Sequence, residues 1–168
     1  MKNFTIKIVL MLCMVTQLSI EVKSENKIFS DVSSARIQLI HNAADLAADT
    51  VDVFVNGELF LPDFAFRTAT PFVDVPADVE LTIDIAPAGA GIENSVFDIT
   101  VEFDVDETYV IVANGIVSET GYDPVEPFTI YPFAPAREEG ENENETDLLV
   151  FHGSTDAPEV SVWAMGGE

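Results

Sequence analysis

The chain states one motif twice. Ile40-His41-Asn42-Ala43-Ala44-Asp45 leads into Val51-Asp52-Val53-Phe54, and Phe151-His152-Gly153-Ser154-Thr155-Asp156 leads into Val160-Ser161-Val162-Trp163. The two histidines are roughly 110 residues apart, too long a period for a solenoid and about right for one small domain copied in tandem. The expected organisation is a first domain over 35–133, a linker over 134–146 and the truncated start of a second copy over 147–168. A strand pair left unfinished there would carry unpaired backbone groups, so the chain reads as a piece of a longer protein.

From Ala35 onward the apolar pattern has period 2, and no stretch sustains the 3.6 period of an amphipathic helix. Phe97, Ile99, Val101, Phe103 and Val105 alternate with Asp98, Thr100, Glu102, Asp104 and Asp106, as in a strand with one dry and one wet face. Leu81, Ile83 and Ile85 alternate in the same way. Asn56-Gly57 sits between two apolar runs and marks a type I′ hairpin, whose two central residues both need positive φ. Further breaks fall at Pro62-Asp63, Pro71, Pro76 to Asp78, Pro87 to Gly91, Asp106-Glu107, Asn114-Gly115 and Gly121 to Pro124. Seven or eight strands result: Ile37–His41, Val51–Val55, Glu58–Leu61, Phe72–Val75, Val79–Ala86, Val96–Val105, Thr108–Ala113 and Pro127–Pro132. Sheets with one apolar face each bury those faces against one another, so the expected fold is an all-β antiparallel sandwich of immunoglobulin-like type.

Lys2 and Lys7 precede an apolar run from Ile8 to Val15, followed by Leu18 to Val22 and a small residue at Ser24, the pattern of a signal peptide over 1–24. Residues 25–34 form a lead into the domain. Thr16, Gln17 and Glu21 leave the run short of the ~18–20 apolar residues that span a bilayer. Cys13, the only cysteine, lies inside the run and not after a small residue at its end, so a lipid anchor fits poorly and the exported chain holds itself together by packing. The protein is expected to be secreted or displayed at a cell surface.

The formal charge is −23. Cleavage near Ser24 would leave Lys27, Arg36, Arg67 and Arg137 as the only basic residues and remove a single acid, so the mature chain would be more acidic still. Such a surface repels nucleic acid and anionic membranes. It suits a saline exterior and gathers divalent cations diffusely. The run Arg137-Glu138-Glu139-Gly140-Glu141-Asn142-Glu143-Asn144-Glu145 has no apolar residue and reads as a solvated acidic linker. Asn144-Glu145-Thr146 fits an N-glycosylation acceptor, relevant only in a eukaryotic secretory pathway.

Few residues are arranged for chemistry. His41 with Asp45, and His152 with Asp156, each stand where a strand enters a loop. A His to Asp hydrogen bond there would orient an imidazole for metal or proton work. Yet two ligands are too few for a transition metal, and a loop pinned by its own side chains fits the same pattern better. Asp104, Asp106 and Glu107 crowd one turn, and Asp49 and Asp52 flank another strand. Either group could offer oxygens to calcium, without the spacing that wraps a loop around the ion. No Gly-x-Ser-x-Gly stretch, cysteine nucleophile or phosphate loop occurs after the leader. Most aromatic residues occupy the apolar phase of a strand. Phe128, Tyr131 and Phe133, whose phase is less clear, are the candidates for an exposed contact patch.

These residues also carry a likeness. The chain resembles the bacterial family called domain of unknown function 4397, whose members carry a pattern like His-Ala-Ser-Pro-Asp-Ala-Pro followed by Val-Asp-Val-Tyr-Val-Asn-Gly. His41, Asp45, Val51, Asp52, Val53, Val55, Asn56 and Gly57 match, with Phe54 in the aromatic place. Phe66, Thr68 to Phe72 and Val75 to Ala77 look like a second family motif. His152, Ser154, Asp156, Ala157, Pro158, Val160 and Val162 match again. Asn42-Ala43-Ala44 replaces the small-Ser-Pro step, the first loop is two residues longer, Arg67 stands where glycine is usual, and Ser161 replaces the aspartate. The resemblance implies a secreted or cell-surface β-sandwich, often in tandem copies, with no assigned enzymatic activity.

The expected function is a non-enzymatic spacer or adhesion module in a tandem array. Its partners would be the neighbouring repeat and a surface polysaccharide or protein, with no cofactor unless calcium is one. A calcium- or carbohydrate-binding domain is the alternative. An accessory or hydrolytic domain of an extracellular enzyme is the third reading, because carboxylate separations are tertiary facts.

Overall fold

The computed structural model describes residues 33–163, all within one compact unit. The signal-peptide reading of 1–24 and nearly all of the lead 25–34 lie outside the described residues. Eight strands follow in order: β1 Ser34–His41, β2 Thr50–Val55, β3 Glu58–Ala65, β4 Val73–Pro76, β5 Leu81–Pro87, β6 Phe97–Val101, β7 Thr108–Asn114 and β8 Thr129–Phe133. Between them lie two 3-10 turns and, among the described residues, no α-helix.

The Asn56-Gly57 hairpin forms as its sequence requires. Asn56 has φ +51° and Gly57 φ +82°, and the turn joins β2 to β3 with Val55 opposite Glu58. The break expected at Pro62-Asp63 is instead a bulge inside β3, which runs on to Ala65. Asp63 takes φ +51° there, and its N–H finds an acceptor in the Asp52 carboxylate at 2.9 Å. The second Asp52 oxygen accepts from Gly89 N–H at 2.9 Å, so this buried acid ties the bulge to the loop after β5. The strand expected over Val96–Val105 stops at Val101, although Phe103 still packs into the core.

The strands form two sheets of four, ordered β4-β1-β7-β8 and β3-β2-β5-β6. The expected sandwich is therefore present. It is not purely antiparallel, because β1 runs parallel to β7, with Arg36 opposite Thr108 and His41 opposite Ala113. Parallel neighbours cannot be joined by a hairpin, which is why local turn signals do not reveal this pairing.

Alternation decides which side chains meet between the sheets. Ile37, Leu39 and His41 of β1 and Tyr109, Ile111 and Ala113 of β7 face β2, β5 and β6. The core falls into two clusters, one around Ile37, Val75, Leu81, Phe103 and Ile111, the other around Val51, Val53, Phe64, Ile85 and Phe128. Leu39 and Ile83 touch both without being buried by either. Between them lies a cavity of about 180 Å³. Left empty, an apolar void of that size costs about 4 kcal/mol against a filled core.

One wet face per sheet holds for β5 and β6, but not for β7. Val110 and Val112 point away from the core and are nonetheless buried. Residues 147–151 run along that side: Leu148, Leu149 and Phe151 line a groove together with Gln38, Ile40, Val110 and Val112. The acidic segment before them is tied down as well as solvated. Arg36 pairs with Glu138 and Asp74, and Arg137 pairs with Glu141 and Asp147.

Candidate functional site

His41 closes β1 on the inward phase and is 1 % exposed. Its Nε2–H donates to the Ala48 carbonyl at 2.7 Å, a tautomer assigned from the network, which leaves Nδ1 to accept from Ala43 N–H at 3.4 Å. The rings of Phe64 and Phe66 stand 5.5 and 6.1 Å away. Burial pushes the imidazole below its ordinary pKa of 6.5, against the opposing pull of the Ala48 carbonyl. The His41 to Asp45 hydrogen bond considered from spacing is not made. Both ring nitrogens serve the backbone of the loop, which makes His41 a brace with no free nitrogen for a metal or a substrate.

Asp45 is 3 % exposed and knots two loops together. As cap of the 3-10 turn Leu46–Ala48 its Oδ1 accepts from Ala47 N–H at 2.9 Å, from Ser118 Oγ at 2.7 Å and from Tyr122 OH at 3.3 Å. Its Oδ2 accepts from Val117 and Ser118 N–H at 2.8 and 2.7 Å. Burial pushes this carboxyl up, but the hydrogen bonds from Ala47, Ser118 and Val117 together outweigh it and hold the pKa below the usual carboxylate value. Ser118 and Tyr122 carry no sequence signal of this role, since they follow β7 more than 70 residues from Asp45.

The second motif lies at the same end. His152 is exposed, yet its Nε2 pairs with the Pro158 carbonyl at 3.2 Å, the counterpart of the His41 to Ala48 brace. Asp156 accepts from Ser154 Oγ at 2.8 Å. Gly153 is inserted against the Asn42–Asn114 hydrogen bond: a Cβ there would stand 2.6 Å from Asn114 Oδ1 and 2.6 Å from Asn42 Nδ2. Gly153 to Asp156 and Gly121 to Pro124 line a shallow polar recess beside Ala44. No strand forms in 147–163.

The acidic turn does not gather into a cation site. Tyr109 OH donates to Asp104 Oδ2, Glu107 Oε1 accepts from the adjacent Thr108 N–H, and Asp106 occupies the turn with φ +59°. Among the described residues no group of three or more His, Cys, Asp or Glu side chains is placed to share a metal ion. The aromatic patch is corrected in part. Phe128 is 8 % exposed and packs edge-on against Phe97 at 5.0 Å, because its backbone pairs with Ile116 and turns the ring inward. Tyr131 and Phe133 do lie on the outer face, where Phe151 meets them at 5.2 and 5.9 Å.

Two stacked four-stranded sheets, with buried His and Asp side chains spent on bracing the loops at one end, define an all-β sandwich module. The chain belongs to the family described as Domain of unknown function (DUF4397), whose profile matches residues 35–163 and so takes in both copies of the His motif. No curated protein matches the chain. Arg67 takes φ +64°, a conformation glycine adopts without strain. Its guanidinium rests 5.1 Å from the centre of the Phe66 ring.

Proposed function

We propose that the protein is an exported, non-enzymatic β-sandwich module, acting as a spacer or adhesion unit within a tandem array. One observation carries this reading: the second His motif repeats the ring-to-carbonyl brace of the first and is laid against the first sandwich through Phe151 and Gly153. The Lys2/Lys7 leader pattern supports export, and among the described residues no helix is long and apolar enough to cross a membrane. The commitment of His41 and Asp45 to backbone groups supports a structural task for the motif.

The test pairs binding with turnover. The purified chain is applied to panels of surface polysaccharides, proteins, glycosides, esters and peptides, and products are assayed alongside capture. Capture without product is expected of an adhesion unit, and neither of a spacer. Turnover that disappears in Asp45→Ala while the variant stays folded would overturn the reading.

A further inference from the structure

The cavity of about 180 Å³ between the sheets is lined from both of them. Nearly everything lining it is aliphatic or aromatic, including the partly buried Leu39, Val55, Ile83, Val101 and Ile130. These residues sit on inward phases of paired strands, yet each is only partly buried, so the facing sheets leave space between them. A sandwich of this size normally interdigitates its core without such a gap. The exposed residues of the lining are Phe60, 40 % exposed on β3, and Asp74 and Pro76 on β4. Strands β3 and β4 are edge strands of the two sheets, so the mouth opens where no neighbouring strand closes the sandwich.

We infer that this cavity binds a small uncharged apolar molecule, a single aromatic ring or a short alkyl chain, entering between β3 and β4. Its volume sets the size: cavities of about 150 Å³ lined by aliphatic residues stay dry and take up benzene or xenon. The polar side chains of the lining set the chemistry. His41 has both nitrogens engaged with Ala48 and Ala43, so it has no hydrogen bond to offer a guest. Asp74 at the mouth shares Arg36 with Glu138, so two carboxylates face one guanidinium there on a chain whose net charge is −23. An anionic head group is therefore disfavoured, and a carboxylate would find no donor inside.

The experiment is methyl NMR of the full chain titrated separately with benzene, hexanol and hexanoate, with thermal melts in parallel. Benzene and hexanol should shift the Leu39, Val55, Ile83 and Val101 methyls saturably and raise the melting temperature, with hexanoate at least tenfold weaker. Ile83→Phe should fill the space, weaken benzene at least tenfold and melt no lower than the parent. Val101→Leu, a smaller filling, keeps the test open if the larger ring does not fold. Interior methyls unmoved at saturating benzene, shifts confined to exposed leucines such as Leu46 and Leu148, or unchanged binding in the folded filled variants would overturn the proposal. Equal binding of hexanol and hexanoate would overturn the charge selection it includes.

Discussion

Replacing Asp45 with asparagine removes one charge and almost no volume, so it isolates what the carboxylate does. Oδ2 faces two N–H donors, from Val117 and Ser118, and Oδ1 faces the Ala47 N–H and the hydroxyls of Ser118 and Tyr122. Asparagine has one oxygen to offer. With that oxygen in the Oδ2 place, both hydroxyls can rotate to accept from the new amide, but the Ala47 N–H is left pointing at another donor. An unsatisfied buried N–H costs about 1–3 kcal/mol, and the bonds retained lose about 1 kcal/mol in passing from a charged to a neutral acceptor. The sum is about 2–4 kcal/mol, which lowers the melting temperature of a domain this size by roughly 10 °C. Asp45→Ala strands every donor and should cost about 3–5 kcal/mol. Thermal melts followed by circular dichroism read both. The pH dependence gives a second arm. The folded pKa of Asp45 is depressed, so its contribution is present above the unfolded value of about 3.9 and lost as pH falls through the folded one. Asp45→Asn should remove that part of the acid slope. A variant melting within 2 °C of the parent would refute the knot.

His41 also has a folded pKa below its unfolded one, so stability should decline as pH falls below about 6.5, and His41→Phe should flatten melts taken between pH 7 and 5. Gly115 has φ +102° and a Cβ there would meet Pro127 O and stand 2.7 Å from Phe128 Cα, whereas Gly57 has open space around it. Gly115→Ala should therefore cost about 3 kcal/mol or more in urea unfolding and Gly57→Ala about 1; similar losses would contradict the close approach. Asp52→Ala leaves the Asp63 and Gly89 N–H groups without acceptors, and should cost about 2–3 kcal/mol with faster amide exchange at both positions.

Strand positions were legible because their causes are local. Asn56-Gly57 demands positive φ at two successive residues, and the alternation in β5 and β6 follows from a half-wet sheet. What could not be read depends on contacts between distant segments. The parallel β1/β7 pairing joins residues about 70 apart, and the Asp45 knot recruits backbone N–H groups, which any residue type but proline supplies. Phe128 looked ambiguous because its inward turn is set by a bond to Ile116 across a long loop and not by strand phase. The His41 to Asp45 spacing suggested a pair, whereas the imidazole reached forward to Ala48 and the carboxylate sideways to Ser118.

The returning segment 147–153 alters how the chain would carry tension. Strand β1 starts beside Thr108 and β8 ends beside Val110, so the sheet is entered and left at one end, where Arg36 and Glu138 touch. Had the chain departed there, pulling on it would have loaded one salt-bridged neighbourhood and left the sandwich hanging as a side lobe that adds no reach. Instead the chain turns back along the outer face of β7 and β8 until Gly153 meets Asn42 and Asn114 at the far end. That return spans the six residue steps from Arg36 in β1 to Asn42 just past its end, about 20 Å. It converts a pendant lobe into an in-line link, so a pull applied beyond residue 153 passes along the length of the sandwich and must first peel Phe151 from Tyr131 and Phe133.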